Sequence, residues 1–195
     1  MPDITTDELL LERAGGGDQA AFVQLYERHR RRVFRFAYRL LASVEMTEDI
    51  THDCFLSLLR RPAGFDPAKG SLQTYLYAAA RNLSLKYFRS AGREGALDDL
   101  VEEPATPPKE QPLRKLLDHE LSLKVKEAIV GLPPLQREAL VLFEYEDLTL
   151  SEIAAVVGSD VGAVKARLHR ARERLRNTLL PYLNSSSEIV TLERA

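Results

Sequence analysis

The sequence predicts an all-α protein made of two small helical domains joined by a flexible acidic linker. Apolar residues recur at helical spacing through most of the chain, and no useful length alternates with the two-residue period of a strand. Between residues 93 and 112 this periodicity gives way to prolines, glycines and acidic residues, which is linker composition. We therefore place the first domain at residues 1–92, the second at 113–183 and a C-terminal tail at 184–195.

The composition is typical of a folded protein from a reducing compartment. Of the 195 residues, 45% are hydrophobic and 29% are charged, a balance unlike that of disordered chains. The one cysteine, Cys54, cannot form an internal disulfide. The apolar runs are too short to cross a bilayer, and the N-terminus lacks the basic-then-apolar pattern of an export signal. We therefore expect a cytoplasmic protein.

Charge is segregated along the chain, although the formal net charge is only −2. Residues 28–39 and 81–93 carry basic side chains and no acid, whereas the charged residues of 94–110 are all acidic except Lys109. The last predicted helix is basic again. The net charge therefore does not exclude a nucleic-acid partner, because such a partner contacts a local basic face.

Three helices are predicted in the first domain. Asp18 is placed to cap the first, and the hydroxyl of Thr47 can cap the second, which stops before Pro62. Residues 63–71 have turn residues at both ends and form a loop before the third helix. The predicted helices cover residues 18–41, 47–61 and 71–89.

The second domain has the layout of a helix-turn-helix. Residues 149–157 form a short helix, Gly158, Ser159 and Asp160 form the turn, and a longer helix follows with Asp160 as its cap. The predicted helical segments of this domain are residues 113–130, 134–146, 149–157 and 161–182.

The longer helix has one apolar stripe and one basic face. The stripe must pack against the core and consists of Val161, Val164, Leu168, Ala171, Leu175 and Leu179. The opposite face consists of Gly162, Ala163, Ala166, His169 and Arg170, flanked by Lys165 and Arg167. The charge pattern alone fits a solvated basic helix as well as it fits a helix that reads the DNA major groove. The turn and the short helix before it favour the major-groove reader.

Three stretches of the second domain resemble region 4 of the extracytoplasmic-function (ECF) sigma factors, in the sigma-70 family. They are residues 132–138, 148–154 and 161–172. The first domain resembles region 2 of the same family, in the right order, at residues 20–26, 47–56 and 75–83. The resemblance implies a transcription initiation factor that binds core RNA polymerase and promoter DNA, both as duplex and as melted single strand.

The resemblance also assigns roles to residues of this chain. The residues that it implies for docking on core polymerase are Asp49, His52 and Asp53, although the family more often has Gln at the position of His52. Contact with the melted minus-ten strand falls to Asp66, Lys69, Ser71, Arg81, Asn82 and Lys86. Reading of the minus-thirty-five element falls to Lys165, Ala166, Arg167, His169, Arg170 and Arg172.

Several of these residues have a plain structural alternative. Helical spacing makes Tyr75 a core ring as readily as a platform for a base, and Arg81 could be a solvated arginine. His52 and Cys54 diverge by about 200° on a helix, which argues against a shared metal ion. The arginines of residues 28–32 fit either a solvated face or a polymerase contact.

No enzyme motif is present in the sequence. It lacks a phosphate-binding Gly-Lys loop, an HExxH pair and a G-x-S-x-G elbow, so we expect no catalysis, no cofactor and no metal. The resemblance further implies an anti-sigma factor as a partner. The alternative functions are a helix-turn-helix regulator that acts on duplex DNA without docking on polymerase, and a pure protein-interaction bundle.

Overall fold

The computed structural model describes residues 5–90 and 112–192, with side chains described for residues 5–88 and 121–182. Every regular element in these ranges is a helix, which confirms the all-α prediction. The predicted linker lies outside the described residues except for Pro112. The α-helices are α1 (Asp7–Gly15), α2 (Gln19–Leu41), α3 (Val44–Arg60), α4 (Leu72–Ser90), α5 (Pro112–Val130), α6 (Pro134–Glu144), α7 (Leu150–Val157) and α8 (Val161–Leu192), and a 3-10 turn spans Pro62–Gly64.

Helix α1 has no counterpart among the predicted helices. Thr6 caps it, and Leu10 and Leu11 are buried in the core of the first domain. Its Asp7 also accepts a hydrogen bond of 2.6 Å from Arg28 on α2. Because α1 has only nine residues and ends in a run of three glycines, its periodicity is too short to stand out in the sequence.

Helix α2 follows the prediction closely, whereas α3 starts earlier than predicted. Asp18 caps α2 by accepting a hydrogen bond from the amide of Ala21 at 3.1 Å. The cap of α3 is Ser43, and the prediction of Thr47 as that cap is wrong. Thr47 is fully buried, and its hydroxyl donates to the Ser43 carbonyl at 2.6 Å. The turn is this tight because Ala42 adopts a left-handed conformation with φ of 53°.

Helices α1 to α4 pack around one apolar core. Each long helix contributes an inward stripe at the spacing that the sequence shows. The largest fully buried apolar side chains are Leu10 on α1, Leu25, Val33 and Phe36 on α2, Phe55 and Leu58 on α3, and Leu72 and Leu76 on α4.

Helices α6 to α8 form the helix-turn-helix that the sequence predicts. Thr149 and Glu152 make reciprocal capping hydrogen bonds at the start of α7, and Gly158 ends α7 with φ of 61°. Asp160 caps α8, accepting a hydrogen bond from the Ala163 amide at 2.9 Å. The segment predicted at residues 134–146 ends earlier, at Glu144.

The two domains pack against each other through α2 and α4 on one side and α6 and α7 on the other. The side chain of Arg137 on α6 crosses this boundary and donates to the carbonyl of Leu40 at the end of α2 at 2.7 Å. It also donates to the carbonyls of Val130 and Leu132 within its own domain. Burial lowers the pKa of Arg137 to about 10. A buried guanidinium thus ties the C-terminal end of α2 to the second domain.

Candidate nucleic-acid and polymerase interfaces

One exposed face of α3 carries the three residues predicted to dock on polymerase. Asp49, His52 and Asp53 are all exposed and follow helical spacing. Leu56 extends the same face one turn further and is 39% exposed, although an apolar side chain of this size is usually covered. Sequence reasoning did not select Leu56, and the i, i+3, i+4, i+7 spacing from Asp49 was the available signal. The exposed face of α3 therefore combines acidic side chains with an apolar one.

The opposite face of α3 explains why these side chains point outward. Ile50, Cys54, Phe55 and Leu58 are buried in the first-domain core. Burial raises the pKa of the Cys54 thiol to about 12, so the side chain acts as a small apolar core residue. Among the described residues there is no cluster of His, Cys, Asp and Glu side chains suited to a metal ion.

The loop before α4 is held in shape by its own side chains. Asp66 accepts a hydrogen bond from the Ala68 amide at 3.0 Å and pairs with Lys69 at 3.3 Å. Ser71 accepts a hydrogen bond from the Thr74 amide at 3.2 Å, which caps α4. Asp66, Lys69 and Ser71 therefore stand together at the N-terminal end of α4, as the assignment to one site requires.

A groove of about 290 Å³ opens beside this loop. The half-buried Tyr75 lines it and meets the ring of Phe65 edge-on, with centroids 5.8 Å apart. The ring of Tyr75 thus packs against the core and also faces the groove, and its use as a platform for a base stays a prediction. The far wall of the groove comes from the second domain, through Ala155 and Val156 of α7.

The predicted minus-ten residues on α4 fall into two groups. Asn82 and Lys86 are exposed, whereas the side chain of Arg81 is only 13% exposed. Arg81 donates to both carboxylate oxygens of Glu138 on α6, at 2.6 and 3.1 Å. A solvated Arg81, the plain alternative, is therefore excluded.

On α8 the buried stripe leaves the predicted reading face outward. Val164, Leu168 and Ala171 are buried, while Lys165, His169 and Arg170 are exposed. Ala166 within that face and Arg167 at its flank are half-buried, and Arg172 is exposed. This arrangement follows from the helical period and agrees with the predicted orientation of α8.

Two of the predicted α8 arginines are engaged by α6. Arg167 lies 3.5 Å from Glu138, and Arg172 pairs with Glu144 at 2.7 Å. The Arg172 guanidinium also lies 5.1 Å from the centre of the Phe143 ring. Arg170 instead donates to the carbonyl of Ala166 at 3.2 Å within α8. The six residues assigned to duplex reading thus stand in two different environments.

Two buried acids at the domain boundary were missed by sequence reasoning. Glu138 is 2% exposed and binds both Arg81 and Arg167. Glu146 accepts a hydrogen bond from the Tyr77 hydroxyl and lies 3.5 Å from Arg39. Glu138 shares a helix stripe with Leu142, and an acid in line with a core leucine was the signal available in the sequence.

The pKa values of these two acids are both shifted upward by burial. For Glu138 the Arg81 guanidinium offsets part of the rise. For Glu146 the Tyr77 hydroxyl and the Arg39 guanidinium likewise offset part of the rise in pKa. Burial also raises the pKa of the Tyr77 phenol, and its hydrogen bond to Glu146 adds to that rise. The boundary therefore holds desolvated acids that depend on cations of the other domain.

Comparison with known protein families agrees with this pair of domains. Residues 25–94 match the family described as Sigma-70 region 2, and residues 122–175 match the family described as Sigma-70, region 4. A transcription initiation factor with a polymerase-associated domain and a helix-turn-helix domain is the class that these two regions define. The pair also argues against a helix-turn-helix regulator that lacks the first domain.

Curated relatives cover most of the chain. The ECF RNA polymerase sigma factor SigE of Mycolicibacterium smegmatis is 33% identical over 178 residues, which span 88% of this chain and 68% of the relative. The ECF RNA polymerase sigma-E factor of Escherichia coli is 31% identical over 94% of this chain and 99% of the relative. The chain belongs to the ECF sigma factors of the sigma-70 family, and it directs transcription initiation by RNA polymerase.

Solved structures share the fold. The sigma factor RpoE of Bartonella quintana, in complex with the anti-sigma factor NepR, has a TM-score of 0.67 at 24% identity and covers 81% of this chain and 96% of its own. CnrH, in complex with the cytosolic domain of CnrY, has a TM-score of 0.64 at 25% identity, over 89% and 96% of the two chains. No helix described for residues 5–90 and 112–192 is long and apolar enough to cross a membrane.

Proposed function

We propose that the two domains divide promoter recognition between three surfaces of this chain. The α3 face docks on core polymerase, the groove and α4 hold the melted minus-ten strand, and α8 reads the minus-thirty-five element in duplex form. The observation that carries this proposal is the geometry of α8. Its buried stripe turns Lys165, His169 and Arg170 outward, directly after a capped helix-turn-helix turn.

The reading face of α8 divides into base contacts and phosphate contacts. Lys165, His169 and Arg170 are long or ring-shaped side chains on the outward face, and they reach base edges. Ala163 and Ala166 leave room for close approach and for contact with a thymine methyl group. Arg167 and Arg172 lie toward α6 and serve phosphates, because their guanidinium groups stand beside the face and not on it.

The groove at the start of α4 suits a nucleotide that has left the base stack. It offers one aromatic ring, Tyr75, together with the polar groups of Asp66, Lys69 and Ser71. A flipped base needs a ring to stack on and polar groups that bind its edge. Asn82 and Lys86 extend the site along the exposed side of α4 toward the next phosphates.

The α3 face is suited to a protein partner. Asp49 and Asp53 offer carboxylates to a basic surface, and the exposed Leu56, one turn beyond Asp53, adds apolar area to the same face. An anti-sigma factor is a further partner that we propose, because RpoE of Bartonella quintana forms such a complex. Because a factor that binds core polymerase acts where the polymerase is, we propose a cytoplasmic location, and we expect no cofactor.

Run-off transcription tests the proposal. Core polymerase from the native host is given a large random promoter library, with and without the full chain, and the transcripts are sequenced. We expect transcripts from a subset of promoters that share two short elements, and only when the protein is present. An absence of stimulation from every promoter in the library would reject the proposed division of roles.

A further inference from the structure

The boundary between the domains places acids of the second domain on the basic face of the first. That basic face consists of Arg39 on α2 and Arg81 on α4, together with the Tyr77 hydroxyl, which donates to Glu146. Glu138 meets Arg81 at 2.6 Å, and Glu146 lies 3.5 Å from Arg39. Both carboxylates are 2% exposed, so they are removed from water and held by these cations.

A second contact at the same boundary borders the groove at the start of α4. Ala155 and Val156 of α7 line it opposite Asp66, Lys69 and Tyr75. A nucleotide that stacks on Tyr75 enters the space bordered by these two α7 residues. Two different helices of the second domain thus adjoin the strand site, because α7 borders the groove and Glu138 of α6 binds Arg81.

We propose that Glu138 and Glu146 take the place of nucleic-acid phosphates on this basic face, so that the packed domains and a bound single strand exclude each other. The inference rests on the proposed function in one respect, namely that α4 and its groove hold the melted strand. Region 4 then acts as an internal competitor, and the strand site opens when the domains separate.

The chemistry of arginine supports the competition. A guanidinium binds a carboxylate or a phosphate through the same kind of paired hydrogen bonds, and one pair of N–H groups cannot serve both at once. Arg81 donates through two nitrogens to Glu138 and has little exposed surface left. A phosphate therefore reaches Arg81 only after Glu138 has left.

The pairing of the two buried acids with cations also favours this one arrangement of the two domains over others. When the domains separate, both carboxylates return to water and recover the solvation that they lost on burial. While the domains are packed, each carboxylate needs a cation opposite it, because a buried charge without a partner is strongly unfavourable. Arg167 pairs with Glu138 from within the second domain. Glu138 therefore keeps one cation after separation, and Arg81 is the partner that becomes available.

Charge reversal at Glu146 tests the inference in the full chain. Glu146→Arg places a cation against Arg39, whereas Glu144→Arg makes the same change on α6, at an exposed acid that pairs with Arg172 inside the second domain. Probes for a distance measurement are attached at Ser57→Cys on α3 and Ser151→Cys on α7, both exposed. Cys54 is buried and stays unlabelled.

We expect Glu146→Arg to increase the distance between the probes and to raise the affinity for a fluorescent 20-nucleotide oligo-dT by about tenfold, because a mostly closed site weakens binding in proportion to its open fraction. Glu144→Arg should leave both quantities as in the unchanged protein. The reversed pair Arg39→Glu with Glu146→Arg should bring the probes together again, provided that helical content by circular dichroism is retained.

Reciprocity gives a second measurement on the unchanged protein. If strand and packed domains exclude each other, saturating oligo-dT must itself separate the probes. Binding of oligo-dT at an unchanged probe distance would overturn the inference, and so would an equal response of Glu144→Arg. Neither readout involves polymerase, so failure of the inference is distinct from failure of promoter-directed transcription.

Discussion

Glu138 lies on an apolar stripe of α6 and still carries a carboxylate. Its neighbours on α6, Ala139 and Leu142, are buried with it, so water does not solvate the charge. The cations that face it are Arg81 from α4 and Arg167 from α8. This residue links a side chain assigned to the minus-ten strand with one assigned to the minus-thirty-five element.

The raised pKa of Glu138 predicts a pH dependence of stability. A carboxyl whose pKa is higher in the folded than in the unfolded protein takes up a proton on folding. Its contribution is therefore fully present below the unfolded value, near pH 4.5, and is lost as the pH rises through the folded value. We expect Glu138→Gln to remove this component from the free energy of unfolding.

Urea unfolding at a series of pH values from 4 to 7 measures the effect. The relevant quantity is the difference between the unchanged protein and Glu138→Gln, because the helix caps Asp18 and Asp160 have lowered pKa values and contribute in the opposite direction. Glu144→Gln on the same helix is the control. A difference that stays constant across this range, or that grows in favour of the unchanged protein as the pH rises, would contradict the prediction.

At the scale of single elements, α3 combines a face buried in the core with an exposed face that we propose for docking on polymerase. Its inner face holds Phe55 and Leu58, and its outer face holds the acids and Leu56. We therefore expect substitutions on the outer face to change docking on polymerase without disturbing the packing of the core. The same separation of faces applies to α8.

Asp49→Arg combined with Asp53→Arg should lower the affinity for core polymerase while the helical content stays unchanged. The reason is that two carboxylates offered to a basic partner become two like charges. Glu8→Arg with Glu12→Arg on α1 is a matched control, since both acids are exposed and the charge change is equal. Core binding is measured by fluorescence anisotropy of the labelled chain, and equal binding by both double variants would remove the assignment.

Arg170→Ala and Arg172→Ala should differ in kind when holoenzyme binds a set of minus-thirty-five variants. Arg170 stands on the outward face, so its loss should relax preference at one base pair, at a cost of about 1–3 kcal/mol. Arg172 lies beside that face and pairs with Glu144, so its loss should weaken all sequences alike.

Salt titration separates the two effects. Loss of a phosphate contact lowers the slope of log K against log salt by about 1, whereas loss of a base contact leaves that slope nearly unchanged. A uniform loss for Arg170→Ala together with altered base preference for Arg172→Ala would show that α8 enters the groove in a different rotation.

At the scale of the whole molecule, promoter recognition depends on two small domains that act together. Each surface alone is small, and two linked sites gain affinity when a scaffold holds both at the right distance. The full chain alone should therefore bind a duplex promoter about 10²–10⁴ times more weakly than holoenzyme does. Titration of one labelled promoter with each species measures this ratio, and equal affinity would show that the scaffold adds nothing.

The prediction from the sequence succeeded where the determining interactions are local. The caps Asp18 and Asp160 act on amides three residues away, and the α8 stripe depends only on the helical period. The exposed positions of Asp49, His52 and Asp53 follow from the same period once the apolar face of α3 is known. These features could be predicted from the sequence because the interacting residues lie within one or two helical turns of each other along the chain.

The sequence by itself determined the helical class of the protein, its two regions and the outward faces of α3 and α8. Only the tertiary structure decided that Thr47 is buried, that Arg81 is held by Glu138, and that Tyr77 meets Glu146. These last two pairs join residues 57 and 69 positions apart. Periodicity places a side chain on a face, and it carries no information about which distant charge lies opposite, because that choice is made by the packing of the two domains.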